Sequence, residues 1–141
     1  MKMKYYVLGF VFNKAKNAVL LIEKKRPEWQ AGYWNGIGGK IEENETPVEA
    51  IEREAWEEMG LHHIFDHALT FVCPGGTVFV YYTVLDWPNI SFKQKEDEPL
   101  KVWPVNFLPE KVMANLRWLI PVCLSSIQFP ILVQQNTLGV E

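Results

Sequence analysis

Two kinds of hydrophobic pattern alternate along this chain of 141 residues. Residues 5–12 and 18–23 are apolar, β-rich runs, and the polar stretch 13–17 between them reads as a hairpin turn. A polar and aromatic loop follows at 24–33, and residues 34–38 lead into a charged segment. From Pro47 the period changes to that of a helix, with Val48, Ile51, Ala55 and Met59 forming an apolar stripe at ~100° per residue. Runs 68–73 and 77–85 flank Pro74, Gly75 and Gly76, a second hairpin signal. Residues 86–99 read as a polar loop, 102–105 as a short strand, and 116–127 as a closing helix that Pro121 must either kink or start. Residues 134–141 read as a loose tail. Strands on both sides of a central helix predict a mixed α/β framework.

The central helix has explicit boundaries. Thr46 suits the N-cap, Pro47 the first helical position, and Glu49 completes a T-x-x-E capping box. Gly60 is placed to end it in a left-handed conformation. On that helix Glu54, Glu57 and Glu58 fall at i, i+3 and i+4, within one arc centred about 110° from the apolar stripe. The pattern predicts a helix with its back in the core and a carboxylate flank facing outward. Such a cluster is often only a solvated face. Carboxylates this close repel, however, unless a cation lies among them, and oxygen-only donor sets suit hard Mg²⁺ or Mn²⁺. Gly38 and Gly39 precede the helix in an expected loop, where backbone can approach a ligand closely. A calcium-binding EF-hand is excluded, since no D-x-[DN]-x-[DN]-G run exists.

Composition narrows the classes. Apolar residues make up 48% of a chain of ordinary domain length, which predicts one folded domain over residues 1–141 without repeat or linker. A formal net charge of −3 gives no general attraction to nucleic acid polymers, so a small phosphorylated ligand is expected. Cys73 and Cys123 are too few for a disulfide scaffold and read as buried thiols in a reducing cytoplasm. The basic and apolar start, MKMKYYVLGFVF, lacks a cleavage pattern and reads as a first strand. No segment approaches the ~18 apolar residues that span a bilayer, so no membrane partner is expected.

GKIEENETPVEAIEREAWEEMGL, residues 39–61, resembles the Nudix box G-x5-E-x7-R-E-U-x-E-E-x-G-U, where U is a large aliphatic residue. Gly39, Glu45, Arg53, Glu54, Glu57, Glu58, Gly60 and Leu61 are in register; Ala55 departs, where a larger aliphatic side chain is usual. The resemblance implies an α/β/α sandwich with a mixed sheet and a loop-helix-loop box. It also implies hydrolysis of a nucleoside diphosphate linked to another group, with divalent ions shielding the phosphate while water attacks. Glu54, Glu57 and Glu58 would then be metal ligands, one of them doubling as general base, and the Gly38 carbonyl a further ligand. Arg53 and Glu45 would form an ion pair fixing the loop, in preference to acting directly in catalysis. Of Glu96, Asp97 and Glu98, Glu98 best matches the position that supplies an additional metal ligand; a solvated acidic loop is the alternative.

Beyond the box, KKRPEWQAGYWNGIGGKIEENET is similar to the MutT-like branch that removes oxidised purine nucleoside triphosphates. By that similarity Asn35 would hydrogen-bond the base, its amide offering donor and acceptor side by side; a turn-forming Asn before Gly36 is the alternative. NLRWLIP resembles the second base-reading segment, where the usual acidic pair would fall on Ala114 and Asn115, or on Asn115 and Leu116, with no acid in either register. Trp118 or Trp29 would stack on a base. Gly39 and Lys40 would meet phosphate; Lys24, Lys25 and Arg26 are a second basic group. A nucleoside triphosphate is the expected substrate, an oxidised purine such as 8-oxo-dGTP included. ADP-ribose, dinucleoside polyphosphates and other nucleoside diphosphate derivatives are alternatives, as is a non-catalytic nucleotide-binding module. Monomer and homodimer both stay open.

Overall fold

The computed structural model describes residues 3–86, 97–125 and 132–134. The strands are β1 (Tyr5–Asn13), β2 (Ala18–Glu23), β3 (Trp34–Asn35), β4 (Ile37–Lys40), β5 (Asp66–Cys73), β6 (Gly76–Leu85), β7 (Leu100–Pro104) and β8 (Leu132–Gln134). The helices are α1 (Pro47–Met59) and α2 (Leu116–Leu124), with a short 3-10 turn at Glu28–Gln30. Among the described residues, eight strands join one mixed sheet in the order β3-β2-β1-β6-β5-β8, with β4 also on β1 and β7 also on β2. The pair β1 and β6 is parallel, from Tyr5 opposite Thr77 to Asn13 opposite Leu85; β1 is antiparallel to β2 and β4.

Alternation along β1 divides the core. Val7 and Val11 point to the side of α1, packing with Ile37, Ile51, Ala55 and Met59. Leu8, Phe10 and Phe12 point to the other, packing with Leu69, Val80, Leu116, Leu119 and Ile120. A helix therefore covers each face, which is the expected α/β/α sandwich. Gly9 brings α1 close, since a Cβ there would sit 2.7 Å from Ile51 Cδ1.

Helix α1 begins and ends as its sequence predicts. Thr46 accepts a hydrogen bond from the Glu49 amide at 3.1 Å, Glu49 accepts one from the Thr46 amide at 2.9 Å, and Gly60 lies at φ 67°, ψ 27°. The second expected hairpin forms between β5 and β6. Five expectations change. Val48 is 47% exposed, and the buried face turns instead toward Ala50, Glu54 and Glu58. Two of the three carboxylates expected to face outward are therefore buried, because β4 packs over that flank. Gly38 and Gly39 lie in β4, hydrogen-bonded to β1, rather than in a loop. Pro121 sits inside α2, which runs only to Leu124 within the described residues. Finally, Gln134, expected to begin a loose tail, closes β8 instead; the rest of that expectation, 135–141, and Glu96 lie outside the described residues.

Candidate active site

One guanidinium organises the carboxylates of α1. Arg53 Nε donates to Glu45 Oε2 at 2.7 Å and Nη2 to Glu45 Oε1 at 3.1 Å, the bidentate pair expected from the sequence. Its Nη1 donates to Glu54 Oε1 at 2.9 Å and to Glu57 Oε2 at 3.1 Å, and lies 3.7 Å from Glu42. Nη2 also reaches the Lys40 carbonyl at 3.2 Å. The loop before α1, the end of β4 and the helix are thereby joined.

The electrostatics are lopsided, with four carboxylates around one guanidinium. Hydrogen bonding to Arg53 holds the Glu45 carboxyl below its ordinary range, and Glu45 in turn raises Arg53. Burial pushes Glu54 the other way, upward, against the lowering effect of Arg53; the nearby Glu57 adds to the rise. Glu58 is almost fully buried and accepts the Gly38 N–H at 3.1 Å, whereas the Glu57 side chain is 43% exposed.

Gly38, at φ 154°, has no room for a side chain against the Val7 carbonyl. Gly39 leaves space for the Glu54 carboxylate, since a Cβ there would lie 2.5 Å from Oε1. Oxygen-only donors, an excess of negative charge and this cradle together fit a hard divalent cation. As the side chains stand, no three acidic, histidine or cysteine groups among the described residues converge on one point, because Arg53 holds Glu54 and Glu57.

Next to the cluster lies a cavity of about 360 Å³, lined in part by Lys24, Asn35, Gly38, Gly39, Lys40 and Asn115. The fold thus brings together Asn35 of β3, Gly38, Gly39 and Lys40 of β4, Asn115 before α2 and Lys24 after β2, all expected phosphate-, base- or metal-contacting positions. Asn35 is committed on both sides: its Oδ1 accepts from the Gly36 amide at 2.8 Å and its Nδ2 donates to Gln30 at 3.1 Å. Asn115 Oδ1 is buried with no hydrogen-bond partner among the described residues, so that amide can rotate toward a ligand without breaking a bond from them to its oxygen. Trp29 lines the cavity, but Trp118 does not; its ring packs edge-on against Phe71, 5.9 Å between centroids.

Glu98 is buried rather than solvated, and its carboxylate is held by neighbours. Its Oε1 lies 3.2 Å from Lys24 Nζ and its Oε2 accepts from the Lys25 and Arg26 amides. Asp97 beside it pairs with Arg26 at 2.8 Å, both exposed. Sequence reading missed Tyr6, Phe71 and Met113 as cavity residues. Each sits in an apolar run, where only position in the sheet separates a lining residue from a core one.

A family model described as NUDIX domain matches residues 3–120, and the chain belongs to that family. An 8-oxo-dGTP diphosphatase from Proteus vulgaris is 35% identical over 60 residues, 43% of this chain and 54% of that protein. An oxidized purine nucleoside triphosphate hydrolase from Danio rerio is 30% identical over 123 residues, covering 84% of this chain and 73% of that protein. The chain therefore spans about half the length of the bacterial relative. Among solved structures, a NUDIX-family hydrolase from Clostridium perfringens superposes with a TM-score of 0.70 at 21% identity, covering 88% of this chain and 97% of that one. No helix among the described residues is long and apolar enough to cross a membrane.

Proposed function

We propose that this chain is a Mg²⁺-dependent pyrophosphohydrolase, with Mn²⁺ as an alternative ion, that cleaves a nucleoside triphosphate to the monophosphate and pyrophosphate. Oxidised purine nucleotides such as 8-oxo-dGTP are the preferred substrates, in the reducing cytoplasm that two free cysteines fit. The observation that carries this reading is the cavity with amides at its walls, whose glycines Gly38 and Gly39 abut the carboxylates of Glu58 and Glu54. The names of the relatives support the choice of base.

Glu54 and Glu58, both buried, would hold the ion from the helix side, with the Gly38 carbonyl and Glu98 as further candidates. The ion supplies neutralisation of phosphate charge, without which an anionic substrate repels its nucleophile. Glu57, the most exposed of the three, would take the proton from the attacking water. Attack on either the α or the β phosphorus breaks the anhydride bond between them and gives the same two products. Lys40 and the Gly39 backbone would contact the phosphates, while Arg53, tied to Glu45, keeps the carboxylates in place. Asn35 would offer the base the second N–H of its Nδ2 and the second lone pair of its Oδ1 while keeping the bonds to Gln30 and Gly36, and Asn115 would turn to meet it. Trp118 would support the cavity through Phe71 rather than stack on the base.

The test is hydrolysis of a panel of canonical and 8-oxo purine triphosphates with Mg²⁺, products resolved by ion exchange, in the native chain and in Glu57→Gln. Monophosphate and pyrophosphate should form fastest from an oxidised purine, and the variant should lose turnover while remaining folded. Equal rates for all bases would remove base reading by Asn35 and Asn115. Full activity in the variant would remove the proposed proton transfer.

A further inference from the structure

One fixed donor decides how the amides around Asn35 are turned. The Gly36 N–H can only donate, so it draws Asn35 Oδ1 to itself at 2.8 Å and leaves Nδ2 facing Gln30. Gln30 must then offer its oxygen, which accepts from Nδ2 at 3.1 Å, and its own Nε2 is turned away from Asn35. Both amide oxygens already accept a hydrogen bond. Three N–H groups, two on Gln30 Nε2 and one on Asn35 Nδ2, have no partner among the described residues. Gln30 and Asn35 both line the cavity beside the α1 cluster, so this part of its wall is rich in donors.

The Gln30 side chain rises from a turn tied at both ends. Its N–H donates to the Pro27 carbonyl and its carbonyl accepts from the Tyr33 N–H, both at 2.9 Å. Lys24 N–H donates to the Tyr33 carbonyl at 2.9 Å, and Gly32 N–H to the Lys24 carbonyl at 2.8 Å. The buried Glu98 carboxylate holds the Lys25 and Arg26 amides on the same loop. Donors on so fixed a turn are preorganised, and a ligand that dries them without pairing them binds more weakly. An acceptor lines the same cavity from another segment: Asn115 Oδ1, buried with no partner among the described residues. Gathered donors and a separate acceptor fit a lactam edge, a carbonyl oxygen beside a ring N–H. The carbonyl can accept two N–H bonds at once, whereas an exocyclic amine in its place would set donor against donor.

We propose that Gln30 is a specificity-determining residue that makes the cavity select lactam bases. Its Nε2 donates to the carbonyl oxygen of the bound base, while its Oε1 keeps Asn35 turned to donate beside it. This rests on the reading that the cavity receives the base of a nucleotide. Guanine carries a lactam edge at C6 and N1, an 8-oxopurine carries one at C8 and N7, and adenine carries none.

The experiment measures calorimetric affinities at pH 7 for dGMP, 8-oxo-dGMP, 8-oxo-dAMP and dAMP in the native chain, Gln30→Glu and Gln30→Met. The native chain should bind 8-oxo-dGMP about 5- to 150-fold more tightly than dAMP, the cost of donors left unpaired. Tight binding of dGMP as well assigns the C6 edge, and of 8-oxo-dAMP the C8 edge; weak binding of both overturns the proposal. Gln30→Glu keeps an oxygen for Asn35 but puts an acceptor where Nε2 donated, and should bring the ratio to about one or below. Gln30→Met keeps the length, loses both contacts and should also level the ratio, with thermal midpoints showing that each variant is folded. An unchanged ratio in Gln30→Glu overturns the proposal. So does an equal loss for 8-oxo-dGMP and dAMP, which mere disturbance of the turn would give. A lactam preference removed by Gln30→Glu, in a chain that hydrolyses no triphosphate, would sustain the role of Gln30 and sink the hydrolase reading instead. Equal native affinities, or none, overturn that role whether or not triphosphates are hydrolysed.

Discussion

Replacing Gly39 by alanine tests the site with little disturbance of the fold. Gly39 pairs with Val7 in β4, and its backbone lies outside the left-handed region, so alanine brings no conformational strain of its own. The added Cβ would lie 2.5 Å from Glu54 Oε1, 3.0 Å from its Cδ and 3.4 Å from Oε2. An ordinary contact requires the carboxylate to withdraw by about 1 Å. Because Glu54 is the mobile end of a side chain, that retreat should cost folding only about 1 kcal/mol. Catalytic geometry is less forgiving, since ~1 Å of misplacement costs about 100-fold in rate, or ~2.7 kcal/mol of barrier. Triphosphate hydrolysis at saturating Mg²⁺ and urea unfolding of the same preparation read the two effects separately. Full turnover would refute the placement of Glu54 beside the reacting phosphate. A loss of stability above about 3 kcal/mol would show that the neighbourhood cannot yield, contrary to the argument.

The remaining predictions concern the clamp and the helix. Arg53→Ala removes the partner of Glu45, Glu54 and Glu57 at once, and should destabilise by about 2–3 kcal/mol, below the range for a fully buried pair because the side chain is 22% exposed; unfolding at pH 7 checks this. Glu45→Gln should cost about 1–2 kcal/mol near neutrality. Since the folded Glu45 lies below its ordinary 4.5, its stabilisation is complete above that value and disappears as the pH falls through the lowered one. The gap between native chain and variant should therefore stay constant from about pH 6 to 8 and close on acidification below 4.5; a gap that widens in acid would contradict the ion pair. Thr46→Ala should lose ~1 kcal/mol by removing the cap on the Glu49 amide, read as a lower thermal midpoint with unchanged metal response.

Local interactions were legible because their partners lie within a turn or two of each other. The capping box spans three residues, Gly60 ends the helix where its φ demands, and Arg53 reaches Glu45 eight positions back because a short loop folds onto the first turns of α1. The hairpin of β5 and β6 follows from Pro74, Gly75 and Gly76 for the same reason. What sequence alone determined about this protein is thus the box helix, its carboxylates and their clamp. Tertiary structure decided which surfaces those groups face. Periodicity placed Val48 inside and the glutamates outside, but β4 packs against the opposite edge of the stripe and buries Glu54 and Glu58 while Val48 stays in water. It also joined Lys24 to Glu98, 74 positions away, and brought Tyr6, Phe71 and Met113 to one cavity from separate segments. No local pattern encodes such meetings, because they depend on strand order and on the face each side chain takes in a sheet assembled from the whole chain.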